Sequence, residues 1–219
     1  PVASTHGLLT TVGWRVGDQV RYALEGSAFI AGAAVQWLRD ELKILQSSAE
    51  IEDLARQAGD SGGVVLVPAF AGLGAPHWKP DARAAVLGMT RGTNRGHLAY
   101  ATLEGIACQI ADLCQAMEAD MGAPLTRLKV DGGAARNDLL MQLQADLLDR
   151  EVIRPELVET TAIGAALLAG LAVGVWSDEA QIRATWREAA SFKSSGDQAR
   201  REAVLDRWHR ALEAVQVFS

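Results

Sequence analysis

Apolar and polar residues along this chain alternate between a period near two and a period near 3.6, the spacings that strands and helices impose on a half-buried surface. Gly7 to Arg15 (GLLTTVGWR) and Val20 to Glu25 (VRYALE) are β-branched and aromatic runs. Joined by Val16-Gly17-Asp18-Gln19, they predict two antiparallel strands about a hairpin turn. Val35, Leu38 and Leu42 recur at helical spacing between Gly32 and Leu45, and a second helix is expected from about Ser48, with Ser48 and Glu50 as start signals and Gly59 as the stop. Gly62-Gly63 then introduces VVLVPAF, a continuous apolar run of the kind found in strands covered on both faces.

Ala71 to Pro80 (AGLGAPHWKP) is too rich in Gly and Pro for a regular element and predicts an ordered loop, after which Ala84 to Met89 restores a strand. Leu103, Ile106, Ile110, Leu113 and Met117 step by three and four residues, which predicts one long amphipathic helix ending at Gly122. A strand at Leu128 to Val130, a helix from Asn137 to Arg150 and a strand at Glu151 to Ile153 follow. Thr160 or Thr161 is expected to cap an Ala- and Gly-rich helix reaching about Val173. Beyond Trp176 the pattern is charged and helical, with Leu205, Trp208 and Leu212 on the apolar side of a last helix. The order ββα-α-ββ-α-β-α-β-α-α predicts a single α/β domain, a mixed sheet flanked by helices, with residues 177–219 as a helical extension of the domain formed by residues 1–176.

Composition narrows the function classes. A charged fraction of 22% and a net charge of −6 disfavour a nucleic-acid surface, which needs clustered Lys and Arg to displace counterions. No run approaches the roughly 18 uninterrupted apolar residues of a membrane span, so membrane insertion is not expected. Cys108 and Cys114, the only cysteines, lie six positions apart in a helical pattern and point away from each other. They read as two buried thiols in a reducing cytoplasm. PVASTHG lacks a secretory signal pattern and does not begin with Met.

Five places are candidates for chemistry. In VDGGAARN (Val130 to Asn137), Gly132 and Gly133 are compatible with a tight strand-to-helix turn in which Asp131 caps the helix. They are equally compatible with a loop that brings a phosphate against bare backbone N–H groups at a helix N-terminus, where Asn137 could offer its amide to a sugar or base. The letters match neither a Walker loop nor a dinucleotide fingerprint. Gly32 and Gln36 share a helix face and fit close packing with a solvated Gln. Gly164, Gly170 and Gly174 predict a helix able to approach another backbone closely. His77 and Trp78 fit an anchored loop better than a substrate edge, and Glu104 and Asp112, with no companion base or metal ligand, read as structural.

Six motifs in order, GLLTT, YALEG, AGAAVQWLRDE, VPAFAGLGAPHW, VDGGAARN and TAIGAALLAGLAVG, together with the spacing from Ala84 to Glu104, resemble the C-terminal half of the FGGY family of carbohydrate kinases, and within it the members that phosphorylate glycerol. The resemblance fades after about Trp176. It implies a ribonuclease H-like, actin-type ATPase domain that holds the nucleotide of a two-domain kinase converting glycerol and ATP to glycerol 3-phosphate and ADP. Carried over by motif, Gly32 and Gln36 match nucleotide contacts, Gly132 and Gly133 the glycines of the phosphate turn, and Asn137 the asparagine near the adenosine. His77 stands where such members often carry Tyr. The implied cofactors are ATP or ADP with Mg²⁺. The implied partners are a preceding N-terminal kinase domain and a small polyol, and homo-oligomerisation is compatible with them. The general base, the polyol contacts and the magnesium-associated aspartate belong to the family's preceding segment, so catalytic and metal residues are expected outside this chain and the fragment alone is expected to be inactive. A pentulose or hexulose kinase of the same family, and a non-catalytic nucleotide-binding or assembly module, are the alternatives.

Overall fold

The computed structural model describes residues 2–218. Its elements are β1 (Leu9–Val16), β2 (Gln19–Glu25), α1 (Gly32–Asp40), α2 (Glu50–Ala58), β3 (Val65–Val67), β4 (Ala85–Leu87), α3 (Arg95–Met121), β5 (Arg127–Lys129), a 3₁₀ turn (Gly133–Arg136), α4 (Asp138–Leu148), β6 (Glu151–Pro155), α5 (Thr160–Ala172), α6 (Glu179–Thr185), β7 (Glu188–Phe192) and α7 (Gln198–Phe218).

The long helix α3 organises the molecule. Asn94 caps it, its side chain accepting from the Gly96 and His97 N–H groups while His97 reaches back to the Asn94 N–H, and Gly122 ends it in the left-handed region. Leu103 and Ile106 lie in the main core with Leu38 of α1, Ile51 of α2, Val65 and Val67 of β3, Leu140 and Leu143 of α4, and Trp208 and Leu212 of α7. Leu113 joins Leu8 and Ala75 in a second cluster under the β1–β2 hairpin. Gly105 is required for close approach, since a Cβ there would collide with the Leu66 carbonyl oxygen of β3.

The strands depart from the expected single sheet. β1 and β2 form an antiparallel pair, β3 and β4 another, and β5–β6–β7 a mixed sheet in which β6 runs parallel to β5 and antiparallel to β7. No pairing joins these three sheets among the described residues. The local pattern says which segments extend, whereas partners distant in sequence are chosen by packing that the pattern does not record. VVLVPAF is buried as expected from Val64 to Ala69, yet only Val65–Val67 is strand.

The expected helical extension beyond residue 176 is not wholly helical over residues 177–218. β7 pairs with β6 through Val152↔Phe192 and Arg154↔Ala190, and α7 buries Val204, Trp208, Leu212 and Val215 in the main core. This segment is part of the fold's centre. α5, by contrast, has no buried residue. Its expected close packing is limited to Gly170 against Trp176, and Gly164 faces open space. The expected threonine cap is also absent: α5 begins at Thr160 after Glu159 with no side-chain cap bond. At α2, Ser48 accepts from Arg39 rather than capping, while the Glu50 carboxylate turns back to accept from the Gln46 N–H at 2.5 Å.

Candidate functional site

The N-terminus of α1, the start of α2, the middle of α3 and the glycine turn before α4 enclose a cavity of about 740 Å³. Gly32 and Gln36 of α1, and Gly133 and Asn137 of the turn, all line it. Gly132 does not line the cavity but stands immediately before the turn. Val35, Ile51, Leu103, Ile106 and Leu140 supply an apolar floor, with Glu52 and Arg136 as charged groups at its edge.

The two glycines of VDGGAARN serve different purposes. Gly132 has a φ of +77°, a conformation that side chains resist, so its glycine is set by the backbone. Gly133 has no such φ, and a Cβ there would meet no atom within 4 Å; its bareness serves neither the turn nor the packing. The same is true of Gly32 at the start of α1. Both leave backbone open to the cavity.

The turn is held at several points. The Gly132 N–H donates to the Val158 carbonyl at 2.7 Å, and the Val130 N–H to that of Ile153 at 3.0 Å, which fixes the approach from β5. Asn137, rather than Asp131, caps α4: its Oδ1 accepts from the Leu140 N–H at 2.8 Å. Asp131 precedes the 3₁₀ turn, and the turn has no side-chain cap. It therefore lies too early to cap α4. The Asp138 N–H donates to Glu52 of α2 at 2.9 Å, and the Arg154 guanidinium donates to both the Ala135 carbonyl and the Asp138 carboxylate. Among the described residues the N–H groups of Gly133 and Ala134 have no acceptor. Such unpaired donors at a helical start suit an anion, and the local dipole adds to the attraction. Asn137, its oxygen occupied by the cap, keeps its amide N–H groups free of any protein acceptor among the described residues.

Local spacing alone could not find Ser48, Glu52 or Arg136, because their place on the rim depends on how α2 and α4 meet. Arg136 makes no ion pair among the described residues, which leaves its charge available at the cavity. The one signal for it was position, a basic residue within the glycine turn.

The remaining candidates lie elsewhere and are structural. Asp112, buried in α3, accepts from His77 Nε2 at 3.1 Å, Trp208 Nε1 at 2.8 Å and His209 Nε2 at 3.0 Å. Burial works to raise its pKa, but those hydrogen bonds outweigh it and hold the carboxyl below its ordinary range. Trp78 donates to the Gly7 carbonyl at 2.6 Å, so the Gly/Pro loop is anchored at both aromatic residues. Burial raises the Glu104 carboxyl, which pairs with Arg207 at 3.3 Å. Cys108 and Cys114 are free and buried, and burial pushes Cys114 up to about 11. Among the described residues no group of three or more His, Cys, Asp or Glu could hold a metal ion, and no helix is long and apolar enough to cross a membrane.

The model of the FGGY family of carbohydrate kinases, C-terminal domain, matches residues 1–173. The chain belongs to this family. The glycerol kinase of Dechloromonas aromatica is 59% identical over 97% of the chain, and that of Bordetella parapertussis 56% over all of it. Among solved structures, Plasmodium falciparum glycerol kinase with ADP superposes with a TM-score of 0.88 at 38% identity, covering 98% of the chain. A ligand-bound xylulose kinase of Lactobacillus acidophilus, at 21% identity and a TM-score of 0.82, shares the fold. That fold is the actin-like, ribonuclease H-like ATPase architecture of the FGGY kinases. The FGGY chain described here spans about 42–44% of the length of the curated relatives it matches.

Proposed function

We propose that this chain is the nucleotide-binding half of an ATP-dependent kinase that phosphorylates glycerol, and that the cavity at the glycine turn receives the nucleotide. The observation that carries the reading is the pair of bare, unbonded N–H groups at Gly133 and Ala134, open to an apolar-floored cavity in an FGGY C-terminal domain. In this reading the purine lies on Val35, Ile51, Leu103, Ile106 and Leu140. The phosphates meet Gly133, Ala134 and Arg136, while Gly32 and Gln36 line the opposite side and Asn137 faces the ribose or base.

Glycerol, rather than a pentulose or hexulose, is supported by identities of 51–59% to curated glycerol kinases, and among solved structures by 38% to a glycerol kinase against 21–26% to xylulose kinases. Transfer itself would need groups on the opposite wall, because phosphoryl transfer depends on positioning and charge stabilisation from both sides. The preceding domain found in longer family members would supply the base and the polyol contacts. α5, apolar and uncovered beside the Val158 segment that holds Gly132, offers that domain a face to cover.

Magnesium does not fit this wall alone. Among the described residues the only carboxylate lining the cavity is Glu52, already engaged by Arg56 and the Asp138 N–H. The ion would enter with the nucleotide and residues of the other domain. The two free thiols suit a reducing cytoplasm.

Calorimetric titration of the 219-residue chain with ADP tests the assignment. Binding is expected, with affinity lost in Gly133→Val and reduced in Asn137→Ala. Absence of heat at millimolar ADP, or titration curves unaltered by both variants, would overturn it.

A further inference from the structure

Arg154 lies on β6, outside every motif, and does not line the cavity. Its side chain is only 18% exposed. One guanidinium nitrogen donates to the Ala135 carbonyl at 2.8 Å and to Asp138 Oδ1 at 2.7 Å, and the group sits over the Phe192 ring of β7, 5.4 Å from its centroid.

We infer that Arg154 is a positioning residue for the nucleotide turn, aiming the Gly133 and Ala134 N–H groups into the cavity and linking that aim to β7. The inference deepens the proposed nucleotide function and rests on it for its ligand. In a helical turn the carbonyls point one way along the axis and the N–H groups the other. Drawing the Ala135 carbonyl toward Arg154 therefore directs the unpaired N–H groups away from β6, toward the open side.

The second bond fixes the next element. Asp138 is the first residue of α4; its carboxylate is held by Arg154 and its N–H by Glu52. Turn and helix start are thereby locked together between β6 and α2. A planar guanidinium can serve a carbonyl and a carboxylate at once while its face rests on an aromatic ring, which an ammonium does less well.

Phe192 also extends the site's support beyond the segment that the family model matches. It lies 19 positions past the last matched residue, Ala190 pairs with Arg154 across the sheet, and a ring under the guanidinium limits its rotamers. The segment after residue 173 thus acts on the nucleotide turn through one arginine.

The experiment uses the 219-residue chain as wild type, Arg154→Gln, Arg154→Lys and Phe192→Leu, with thermal midpoints recorded for each. Without ligand, amide hydrogen exchange at Ala135 and Asn137, whose N–H groups donate within the turn to the Gly132 and Ala134 carbonyls, is expected to quicken about tenfold in Arg154→Gln, while α3 amides hold their rates. With ligand, Arg154→Gln should weaken ADP about tenfold and leave adenosine within about twofold, because the Gly133 and Ala134 N–H groups meet only the phosphates, while Asn137 keeps its own cap bond to Leu140. Arg154→Lys and Phe192→Leu should fall between wild type and Arg154→Gln. Unchanged exchange at the turn overturns the inference, as does equal weakening of ADP and adenosine, which would mark a merely structural role. Where Arg154→Gln does not fold, the same comparisons in Arg154→Lys decide. If wild type binds no ADP, the proposed function falls, and the ligand-free exchange still decides whether Arg154 holds the turn.

Discussion

The adjacent glycines 132 and 133 are interchangeable as letters and distinct as positions. Gly132 must adopt φ +77°, so Gly132→Ala is expected to destabilise the chain by about 1 kcal/mol through backbone strain. Gly133 is unstrained and its missing Cβ faces open space, so Gly133→Val should leave the urea midpoint nearly unchanged while weakening ADP about tenfold or more. Urea unfolding and ADP titration of both variants read the contrast, and a large stability loss in Gly133→Val would assign that glycine to packing instead. The sequence could raise both roles but not distribute them, because φ and free space are set by where Val158 and β6 hold the turn. Asn137 shows the same gap: its type suited a ligand amide, and the fold also uses its oxygen as the cap of α4. Gly32 and Gln36 were legible as one helix face, but not as lining the same cavity as Asn137, since that depends on how α1 and the turn pack about α3.

Among elements, strong periodicity was legible and weak periodicity was not. The stepped apolar residues of α3 and its terminal Gly122 predict the helix that forms, from Arg95 to Met121. β7 (EAASF) is short, polar at its start and surrounded by helical composition, so nothing local marks it. Its strand state comes from pairing with β6, a tertiary gain that overrides propensity. α7 was legible through Leu205, Trp208 and Leu212, but its depth was not: Trp208 is 1% exposed and donates to Asp112 on α3. Trp208→Ala is therefore expected to cost about 3–5 kcal/mol, from a large cavity and the loss of one of the two hydrogen bonds to Asp112 Oδ2, measured as a lower urea midpoint. A cost under about 1 kcal/mol would show α7 to be a peripheral appendage rather than a core element.

At the scale of the whole molecule, the Asp112 carboxylate gathers three separated segments: His77 from the Gly/Pro loop, Trp208 and His209 from α7, and α3 on which it stands. His77 is thus a tether where the family resemblance singled it out only as a departure from Tyr. Burial opposes the charge on Asp112, but the three donors prevail and its pKa lies below the ordinary 3.8. A carboxyl whose folded pKa is depressed binds protons less readily in the native state than in the unfolded chain. Its stabilisation is therefore complete above the unfolded value, near 4, and is lost as pH falls through the folded value. Asp40, Asp120, Asp149 and Asp178 are depressed as well, so acid sensitivity of the wild type alone would not isolate Asp112. The difference between wild type and Asp112→Asn does. Urea midpoints should favour the wild type at pH 7, and the gap should narrow as pH drops from about 5 to about 3, because the variant has no charge to lose at that site. A gap that stays constant across that range would mean that the cluster is held by packing and neutral hydrogen bonds, with the charge on Asp112 contributing nothing to the joining of loop, long helix and C-terminal helix.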